Sequence, residues 1–517
     1  MEPGPSRRIA GFLGAICFAW FGCGRAGPPN LLLITLDTVR ADHLGAYGYA
    51  QARTPTLDAL AQRGVLFERA FCQAPMTLPS HTSILSGTYP AAHGVRDNFF
   101  VVPHRVTTLA DLLSIHAGYK TAAFVSGYPL VASFGLNQGF ALYDDALPSG
   151  VVDNVSGMNV SERSAGATTD RALAWLGSAS RGPFFLWVHY FDPHTDYEPP
   201  APYSEQFADR PYDGEIAYVD AELGRLLAAL RRLELDRNTI IAVIGDHGEA
   251  LGEHGELEHG MTLYDAATQI PLILVAPDRR WAGRRIETVV ESVDLMPTLL
   301  ELLDQPIPSK VQGRSLLPLI EGQLDRLRAA SYSETFMPRL AWGYCELLSL
   351  RSDDWRLVLA PRPELYDLGS DPGALENLHD RRPEEANRLR SELARRLERM
   401  DPTGSAEAPT ILDPEARAKL ESLGYFGGAG SGSSSDSTRS DQACLGDPKD
   451  IVGLPAEIRQ AQELFAGSRF QEALAKIDAI LPRVPPHTKQ WDNLRSARHM
   501  IAQHLGRTAT VSGSEPP

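Results

Sequence analysis

Residues 30–37 read NLLLITLD, an apolar run that ends in the acidic Asp37. Runs of this kind are typical of strands that are buried on both faces of a parallel sheet. Helical patterns separate such runs, the clearest over residues 214–233, where apolar side chains recur on one face. Strands that alternate with helices predict an α/β fold with a large, mostly parallel sheet sandwiched by helices. Four more runs are predicted to be buried strands: residues 121–125, 184–190, 239–245 and 271–275.

Length and charge narrow the class of protein. The chain has 517 residues, of which 43% are hydrophobic and 22% are charged, with a formal net charge of -16. A chain of this length predicts one large domain with appendages. Because a strongly acidic protein does not neutralise phosphate backbones, we expect no nucleic-acid partner.

The organisation of the chain changes beyond the main α/β domain, which we assign to residues 28–330. Short strand-like pieces within residues 331–426 predict a small C-terminal antiparallel subdomain. Residues 427–450 are rich in Gly and Ser and predict a flexible linker. Residues 451–507 predict a short α-helical tail, and residues 508–517 predict a disordered end.

The helical segment at residues 451–507 contains AQELFAGSRFQEALAKIDAIL, which has the helix-turn-helix pattern of a tetratricopeptide-type (TPR-like) unit. One such unit cannot bury its own apolar face. The segment is therefore either a cap packed on the main domain or an appendage that docks a protein partner.

The N-terminus predicts export. Arg7 and Arg8 precede an apolar run over residues 9–21, and a small residue comes before Cys23. This is the pattern of a signal peptide, and the run is shorter than the roughly 20 residues of a membrane span. We interpret residues 1–23 as a lipoprotein-type signal peptide with Cys23 as the lipidated residue. Ordinary secretion and an uncleaved anchor are the alternatives. The prediction is a periplasmic or outer-membrane lipoprotein of a bacterium, held at the membrane through its lipid anchor.

The cysteines do not form a disulfide framework in the sequence. The five are Cys17, Cys23, Cys72, Cys345 and Cys444, without paired spacing. A pair between Cys72 and Cys345 is one option in an oxidising compartment.

Acidic and imidazole side chains follow the predicted strands. Asp37 ends the first strand, and Asp246 with His247 follows residues 239–245. Sites of α/β sheets form at the carboxyl ends of strands, and a buried carboxylate requires a partner. A divalent cation is such a partner, since carboxylate oxygens and imidazoles are its usual ligands. A turn or helix cap is the alternative role for each residue alone.

Thr77 lies in the segment APMTLPSHTSILSG, residues 74–87. Pro79 suits the first position of a helix, which places Thr77 at or just before a helix N-terminus. Free amides there favour an anion such as phosphate or sulfate, whose central atom a hydroxyl could attack. The alternative is that Thr77 only caps the helix. His194 follows another strand end in a loop that could reach an oxyanion, with a core or hydrogen-bonded histidine as the alternative. His259 adds an imidazole downstream of Asp246 and His247, with a surface or cap role as the alternative.

Five motifs in order carry a resemblance to a known family. They are LLITLDTVRADHLGAYGY, TLPSHTSILSGTYPAAHGV, DPHTDY, GDHGEALGEHG and ELYDLGSDP. In this combination the chain resembles the sulfatase-like branch of the alkaline phosphatase superfamily, from about residue 30 to residue 428. The resemblance implies a sulfatase-like catalytic domain at residues 28–330, with residues 331–426 as its C-terminal subdomain.

The resemblance also implies roles for single residues. Asp37, Asp246 and His247 match metal ligands, and Thr77 matches the nucleophile, which also contacts the metal. One divalent ion is implied (zinc, manganese, calcium or magnesium), with a second as an option. Two sets of histidines are implied to act on the substrate: the catalytic and oxyanion-binding His194 and His259, and the substrate-pocket residues His81 and His93.

Three positions depart from true sulfatases, which convert the first residue of Cys/Ser-x-Pro-Ser-Arg into formylglycine. This chain has Thr77 at the converted position, His81 in place of the arginine, and Thr38 in place of the second acid of an Asp-Asp pair. A threonine nucleophile is similar to that of phosphoethanolamine and glycerol-phosphate transferases and nucleotide phosphodiesterases of the superfamily.

We therefore expect a sulfatase-family, metal-dependent hydrolase or transferase that acts on phosphate (or sulfate) esters at the cell envelope through Thr77. One alternative is a sulfuric ester hydrolase without formylglycine. Another is a non-catalytic envelope binding protein that docks partners through its helical tail.

Overall fold

The computed structural model describes residues 27–148, 151–152, 159–160, 162–178, 182–401, 410–411, 444–486 and 488–506. The predicted signal peptide with Cys23, residues 427–443 of the predicted linker and the predicted disordered end lie outside these residues. No helix within these ranges combines the length and the apolar character that a membrane crossing requires.

The strands of the described residues form a large sheet, a smaller one and two short ribbons. Their bounds are β1 Asn30–Leu36, β2 Val65–Phe71, β3 Phe100–Val101, β4 Lys120–Phe124, β5 Leu142–Asp144, β6 Val151–Val152, β7 Asn159–Val160, β8 Phe184–Tyr190, β9 Thr239–Gly245, β10 Gln269–Val275, β11 Arg284–Ile286, β12 Val290–Glu291, β13 Ala330–Thr335, β14 Leu347–Ser352, β15 Trp355–Leu359, β16 Glu364–Asp367 and β17 Thr410–Ile411.

The helices of the described residues fall between and after these strands. Their bounds are α1 Pro55–Arg63, α2 Thr77–Ser86, α3 Pro90–His93, α4 Leu109–His116, α5 Ala165–Ser178, α6 Tyr203–Gln206, α7 Pro211–Arg232, α8 Asp265–Thr268, α9 Leu295–Leu302, α10 Leu317–Ile320, α11 Met337–Trp342, α12 Pro383–Met400, α13 Leu454–Ala466, α14 Phe470–Ile480 and α15 Lys489–His504.

The large sheet has the order β11-β2-β10-β9-β1-β8-β4-β5, with β12 also paired to β2. Only β10 runs antiparallel to its neighbours, β2 and β9. Alternate residues of β1 pack into two different apolar clusters, Leu31 and Leu33 into one and Leu32 and Ile34 into the other. Helices cover both faces, which confirms the predicted sandwich and explains why β1 is apolar throughout. Burying each of these leucines stabilises the fold by about 1.5–3 kcal/mol.

The register of the central strands decides which loops meet. Strand β1 pairs in parallel with β8 on one side and with β9 on the other, so that Leu36 lies opposite both Tyr190 and Gly245. The amide of Asp37 donates to the carbonyl oxygen of Tyr190, and that of Asp246 donates to the carbonyl oxygen of Leu36. Asp37 and Asp246 are therefore brought to adjacent strand ends by backbone pairing alone.

The smaller sheet, β13-β14-β15-β16, is antiparallel throughout and confirms the predicted antiparallel subdomain. Helix α12 packs on it through Leu389 and Leu393. The sheet is joined to the large one near the site, because the amide of Glu334 donates to the carbonyl oxygen of Gln73, a few residues before Thr77.

The C-terminal helices α13, α14 and α15 pack on the main domain. Ile451, Leu454 and Ile458 share one apolar cluster with Met337 and Trp342 of α11. Of the two arrangements that the sequence leaves open, the structure shows a segment packed on the main domain. Residues 444–450, which the sequence assigns to the linker, are already part of this contact, since the amide of Leu445 donates to the carbonyl oxygen of Gly343 and that of Cys345 to Gly446.

A disulfide joins Cys345 to Cys444 and ties the start of this segment to the chain just after α11. Cys72, which the sequence offered as a partner for Cys345, is instead buried and carries a free thiol. The pairing was hidden in the sequence because the two bonded cysteines are 99 residues apart.

We predict that peptide mapping without reductant recovers a linked pair of peptides containing Cys345 and Cys444. The Cα atoms of these residues are 5.0 Å apart, within the range of about 4.4–6.8 Å that a disulfide spans. The matched control Cys72→Ser should leave the linked peptide unchanged, whereas Cys444→Ser should abolish it. Recovery of a peptide that links Cys72 to Cys345 would contradict this pairing.

Candidate active site

Four buried atoms without a hydrogen-bond partner among the described residues mark the site. They are Asp37 Oδ1, Thr77 Oγ1, Asp246 Oδ2 and His247 Nε2. Each of these residues is fully shielded from solvent. Ligand atoms of Asp37, Asp246 and His247 all lie within 4.8 Å of one another. Because buried polar atoms in folded proteins are nearly always paired, four orphans belonging to one predicted site indicate a missing common partner.

One carboxylate oxygen of Asp37, Oδ2, is held by a histidine of the neighbouring strand. His189, in β8, lies with Nε2 3.1 Å from Asp37 Oδ2. The amide of Ser126 donates to His189 Nδ1, so Nε2 carries the ring proton and donates it to the carboxylate. This contact fixes the orientation of the carboxylate and leaves Oδ1 for another partner. The sequence analysis gave His189 no role, although it is a polar residue near the end of an otherwise apolar strand.

Asp246 and His247 are fixed in the same manner. The amides of Thr38 and His247 both donate to Asp246 Oδ1, at 3.2 and 2.7 Å. Nδ1 of His247 lies 3.0 Å from the carbonyl oxygen of Gly248, which can only accept, so Nδ1 carries the proton. The lone pair of His247 therefore lies on Nε2, 3.8 Å from Asp37 Oδ1 and 3.4 Å from Asp246 Oδ2. Such backing contacts are typical of residues that hold a metal.

Asp37 and Asp246 lie side by side and are shielded from bulk water, which changes the pKa of both carboxyl groups. Burial raises the pKa of Asp37 to about 7, although the positive charge of His259 opposes this shift. Burial, and then the charge of Asp37, raises the pKa of Asp246 well above its usual range. A divalent cation would relieve both effects, because it supplies the missing partner of the four orphan atoms and cancels the repulsion. The residues present therefore fit a divalent ion.

Thr77 occupies the first position of α2, with Met76 as the residue before the helix. Pro79 is thus third in the helix instead of first, and Thr77 does not cap it. The predicted anion site at this helix end is smaller than expected, because the amide of Leu78 already donates to Asn98 Oδ1 and Pro79 has no amide proton. An anion at Thr77 would therefore be held mainly by side chains.

Asn98 is a candidate that sequence reasoning missed. Its Oδ1 accepts from the amide of Leu78 at 2.8 Å, which fixes the side chain beside the first turn of α2. Its Nδ2 is buried and has no hydrogen-bond partner among the described residues. The sequence offered no signal for Asn98, because its loop follows α3 and carries no recognisable pattern. An unused donor on a side chain fixed to Leu78, the residue after Thr77, is suited to bind an oxyanion.

His81 contacts the backbone of Thr77 and the end of β1. Trp187 Nε1 donates to Thr35 Oγ1 at 2.9 Å, and that hydroxyl lies 3.0 Å from His81 Nε2. Nδ1 of His81 lies 2.8 Å from the carbonyl oxygen of Thr77. Both ring nitrogens are engaged by the protein, so in this arrangement His81 positions Thr77 and has no nitrogen left for the substrate. Burial lowers the pKa of His81 to about 3 and keeps the ring neutral.

His194 and His259 lie together beside His247. The rings of His194 and His259 are 5.2 Å apart, and those of His247 and His259 are 4.3 Å apart. His259 Nδ1 lies 3.1 Å from Glu249 Oε1. Burial lowers the pKa of His259, but the acids around it, Glu249 first and then Asp37 and Glu258, together raise that pKa to about 9. Burial lowers the pKa of His194 well below its usual value. His259 is therefore the cationic member of the pair.

The side chains of His93 and Thr38 do not join the cluster. His93 Nε2 lies 3.0 Å from Ser83 Oγ of α2, and Nδ1 accepts from the amide of Val95 in the turn after α3, so both ring nitrogens are engaged by the protein. The predicted pocket role of His93 is not supported by this placement. Thr38, at the second acid position of sulfatases, donates its hydroxyl to the carbonyl oxygen of Pro193 and shapes the loop that precedes His194.

Comparisons with known proteins agree with the fold. The profile of the sulfatase family matches residues 29–305, more than half of the chain. The profile of the N-sulphoglucosamine sulphohydrolase C-terminal region matches residues 252–402.

Individual relatives are similar over most of their length. The chain is 25% identical to the uncharacterized sulfatase YidJ of Escherichia coli (strain K12) over 428 residues, 68% of this chain and 83% of the relative. It is 26% identical to arylsulfatase K of Canis lupus familiaris over 443 residues, 70% and 81% of the two chains. The crystal structure of the phosphonate monoester hydrolase of Agrobacterium radiobacter matches with a TM-score of 0.62 and 24% identity, covering 75% of this chain and all of that chain, and shows the same fold.

We predict that removal of divalent metal by a chelator lowers the melting temperature of the protein. Loss of an ion present at a hundred times its Kd corresponds to about 2.7 kcal/mol of stability. A double variant Asp37→Asn, Asp246→Asn should show no response to chelator, because neutral amides no longer require the ion. Asp220→Asn is the matched control: Asp220 is buried but accepts from the amides of Thr56 and Leu57 outside the site. Equal melting curves for the native protein with and without chelator would count against the metal.

Proposed function

This chain belongs to the sulfatase family, and from that premise we propose that it is a metal-dependent hydrolase of phosphate esters with Thr77 as the nucleophile. Membership of the family makes it a hydrolase of sulfate or phosphate esters. The single observation that carries the finer proposal is the set of four unpartnered buried atoms, in which one hydroxyl joins two carboxylates and an imidazole.

The chemistry of threonine favours phosphate over sulfate esters. Formylglycine is an aldehyde, formed from a residue whose Cβ carries no further carbon. The Cβ of Thr77 carries a methyl group, so oxidation of its hydroxyl would give a ketone. Thr77 therefore acts as an alcohol, and a bound divalent cation would lower the pKa of that alcohol and neutralise charge on a substrate oxygen.

In the proposed reaction Thr77 Oγ1, having lost its proton to solvent, forms a bond to phosphorus while the bond from phosphorus to the leaving oxygen breaks. His259, held by Glu249, donates a proton to the leaving oxygen. Water then attacks the phosphothreonine, the bond from phosphorus to Thr77 Oγ1 breaks, and the proton of the water returns to His259. With an alcohol in place of water, the same steps would transfer the phosphoryl group.

Side chains of three loops would hold the substrate oxygens. Asn98 Nδ2 is an unused donor on a side chain fixed to Leu78, the residue after the nucleophile, and His259 supplies a positive charge. His194 is stacked on Phe191 at a centroid distance of 4.4 Å, which fixes its ring beside that of His259. Groups fixed before the reaction stabilise the developing charge without reorganisation, which is the main source of catalysis in such sites.

Sulfate esters are the second candidate substrate. The observation that favours them is the match of both family profiles, which are those of sulfatases and of a sulphohydrolase C-terminal region. A hydrolase without formylglycine would then form a sulfothreonine. Paired assays with 4-nitrophenyl sulfate and bis(4-nitrophenyl) phosphate separate the two candidates.

The proposal includes a location outside the cytoplasm, at the cell envelope. The positive, apolar and Cys23-containing pattern of residues 1–23 supports export, and the disulfide between Cys345 and Cys444 supports an oxidising compartment. The peptide map of protein isolated from its cell tests this, because a reduced pair would count against export.

Thr77→Ala should lower kcat/KM for the phosphodiester by more than about a thousandfold, because the attacking oxygen is lost. Thr77→Ser should retain turnover, and phosphate trapped during turnover should be found on residue 77 by mass spectrometry. Thr82→Ala is the matched control, since Thr82 is buried on the same helix and donates only to the carbonyl oxygen of Leu78. Unchanged turnover in Thr77→Ala would favour a binding protein over an enzyme.

Asn98→Ala should lower kcat about a hundredfold, the usual effect of losing one donor to an oxyanion. Asn98→Asp separates this role from a structural one, because Asp keeps the acceptor for the amide of Leu78 but replaces Nδ2 with a repelling oxygen. Steady-state kinetics of both variants measure this. Wild-type kcat in Asn98→Asp would exclude Asn98 from oxyanion binding.

A further inference from the structure

The C-terminal helical segment forms one side of a pocket that His194 and His259 also line, and this side is called the helical wall. Two groups of apolar residues line this pocket. The catalytic domain contributes Met76, Phe99, Leu257, Met261 and Met337, and the helical segment contributes Val452, Pro455 and Ala456.

Arg459 of α13 links the two loops that carry the pocket histidines. Its Nη1 lies 3.1 Å from Asp196 Oδ1, and its Nη2 lies 2.9 Å from Glu258 Oε2. Asp196 is two residues after His194, and Glu258 directly precedes His259. The side chain of Arg459 is 22% exposed and is held by both carboxylates, so its charge is used within the protein.

Apolar packing fixes the position of the helical wall, the side of the pocket formed by the C-terminal helical segment. Ile451, Leu454 and Ile458 are buried in the cluster that includes Met76, the neighbour of Thr77. The loop at Gly255 approaches so closely that a Cβ there would lie 3.3 Å from Val452 Cγ1, and its φ of +83° favours glycine. With the disulfide at Cys444, these contacts make the wall a fixed part of the site.

We propose that this segment is a working part of the substrate site and that the pocket selects esters with an apolar leaving group. The inference rests on the proposed function, since it places the ester at Thr77 with its leaving group toward His259. Eight of the 13 lining residues are apolar, which favours an aromatic or alkyl group. The rest include the acids Glu256 and Glu258, which disfavour an anionic group. Among these described lining residues, Arg459 is already paired with two acids, so the wall offers little to a polyanionic leaving group.

The test compares two inert probes on the metal-loaded, full-length protein. Phenylphosphonate and methylphosphonate carry the same anion, and neither has an ester bond to hydrolyse. Isothermal titration calorimetry of the wild type should give a Kd for phenylphosphonate at least tenfold below that for methylphosphonate, because the phenyl group fills the apolar pocket.

Ala456→Trp should remove this preference, since the indole occupies the space of the phenyl group, while the Kd of methylphosphonate changes less than twofold. Arg459→Met should weaken binding of both probes, because the loops of His194 and His259 lose their link. Arg483→Met is the matched control. Arg483 forms an ion pair at 2.7 Å with Glu457, which lies in α13 like Arg459, but Arg483 does not line the pocket. If Ala456→Trp fails to fold, Val452→Ala should lower the preference several-fold.

Two outcomes would overturn the proposal: equal affinity of both probes for the wild type, or an unchanged preference in Ala456→Trp and Val452→Ala. Because these are binding measurements, they remain decisive whether or not the protein turns over esters. If turnover depends on Thr77 but the two probes bind equally well, only the proposed role of the helical segment in selecting the leaving group is wrong. If phenylphosphonate binds more tightly but neither ester is turned over, the proposed function is wrong and the role of the helical segment in binding apolar groups stands.

Discussion

Two buried carboxylates set side by side constrain the whole site. Parallel pairing of β1 with β9 forces Asp37 and Asp246 to neighbouring strand ends, where both are fully shielded from water. Unpaired charges there would cost several kcal/mol each, so the fold needs a positive partner at this position. The contacts from His189, Thr38 and the His247 amide hold one oxygen of each acid and leave the other for that partner. Thr77 adds its hydroxyl to the same group of unpartnered atoms.

The sequence predicted this cluster because it depends on strand order and local chemistry. Apolar runs ending in acids identify parallel strands and their carboxyl ends, so Asp37, Asp246 and His247 could be found together with the sandwich fold. The roles of the other histidines could not be predicted, since they depend on which partners tertiary packing supplies. His81 and His93 have both nitrogens engaged by protein groups, and His189 and Asn98 gain importance only from the neighbours brought to them.

Two parts of the fold escaped prediction for physical reasons. Strand β2 reads VLFERAF, and its charged Glu68 and Arg69 hide the strand pattern because they pair with Arg285 and Asp353 from distant parts of the chain. The position of α13 over the site was also unpredictable, because a Gly/Ser-rich stretch separates it from the catalytic domain. Its apolar face indicated only that some surface must cover it, and Arg459 meets Asp196 and Glu258 only after docking.

The most direct test of the central claim is a crystal structure of the metal-loaded protein with anomalous data collected at the absorption edge of the bound metal. The account predicts one peak within about 2.0–2.6 Å of Asp37 Oδ1, Asp246 Oδ2 and His247 Nε2, with Thr77 Oγ1 in contact with it. A site without an anomalous peak, in which the two carboxylates share a proton or turn to other partners and the hydroxyl of Thr77 bonds to the protein, would contradict it.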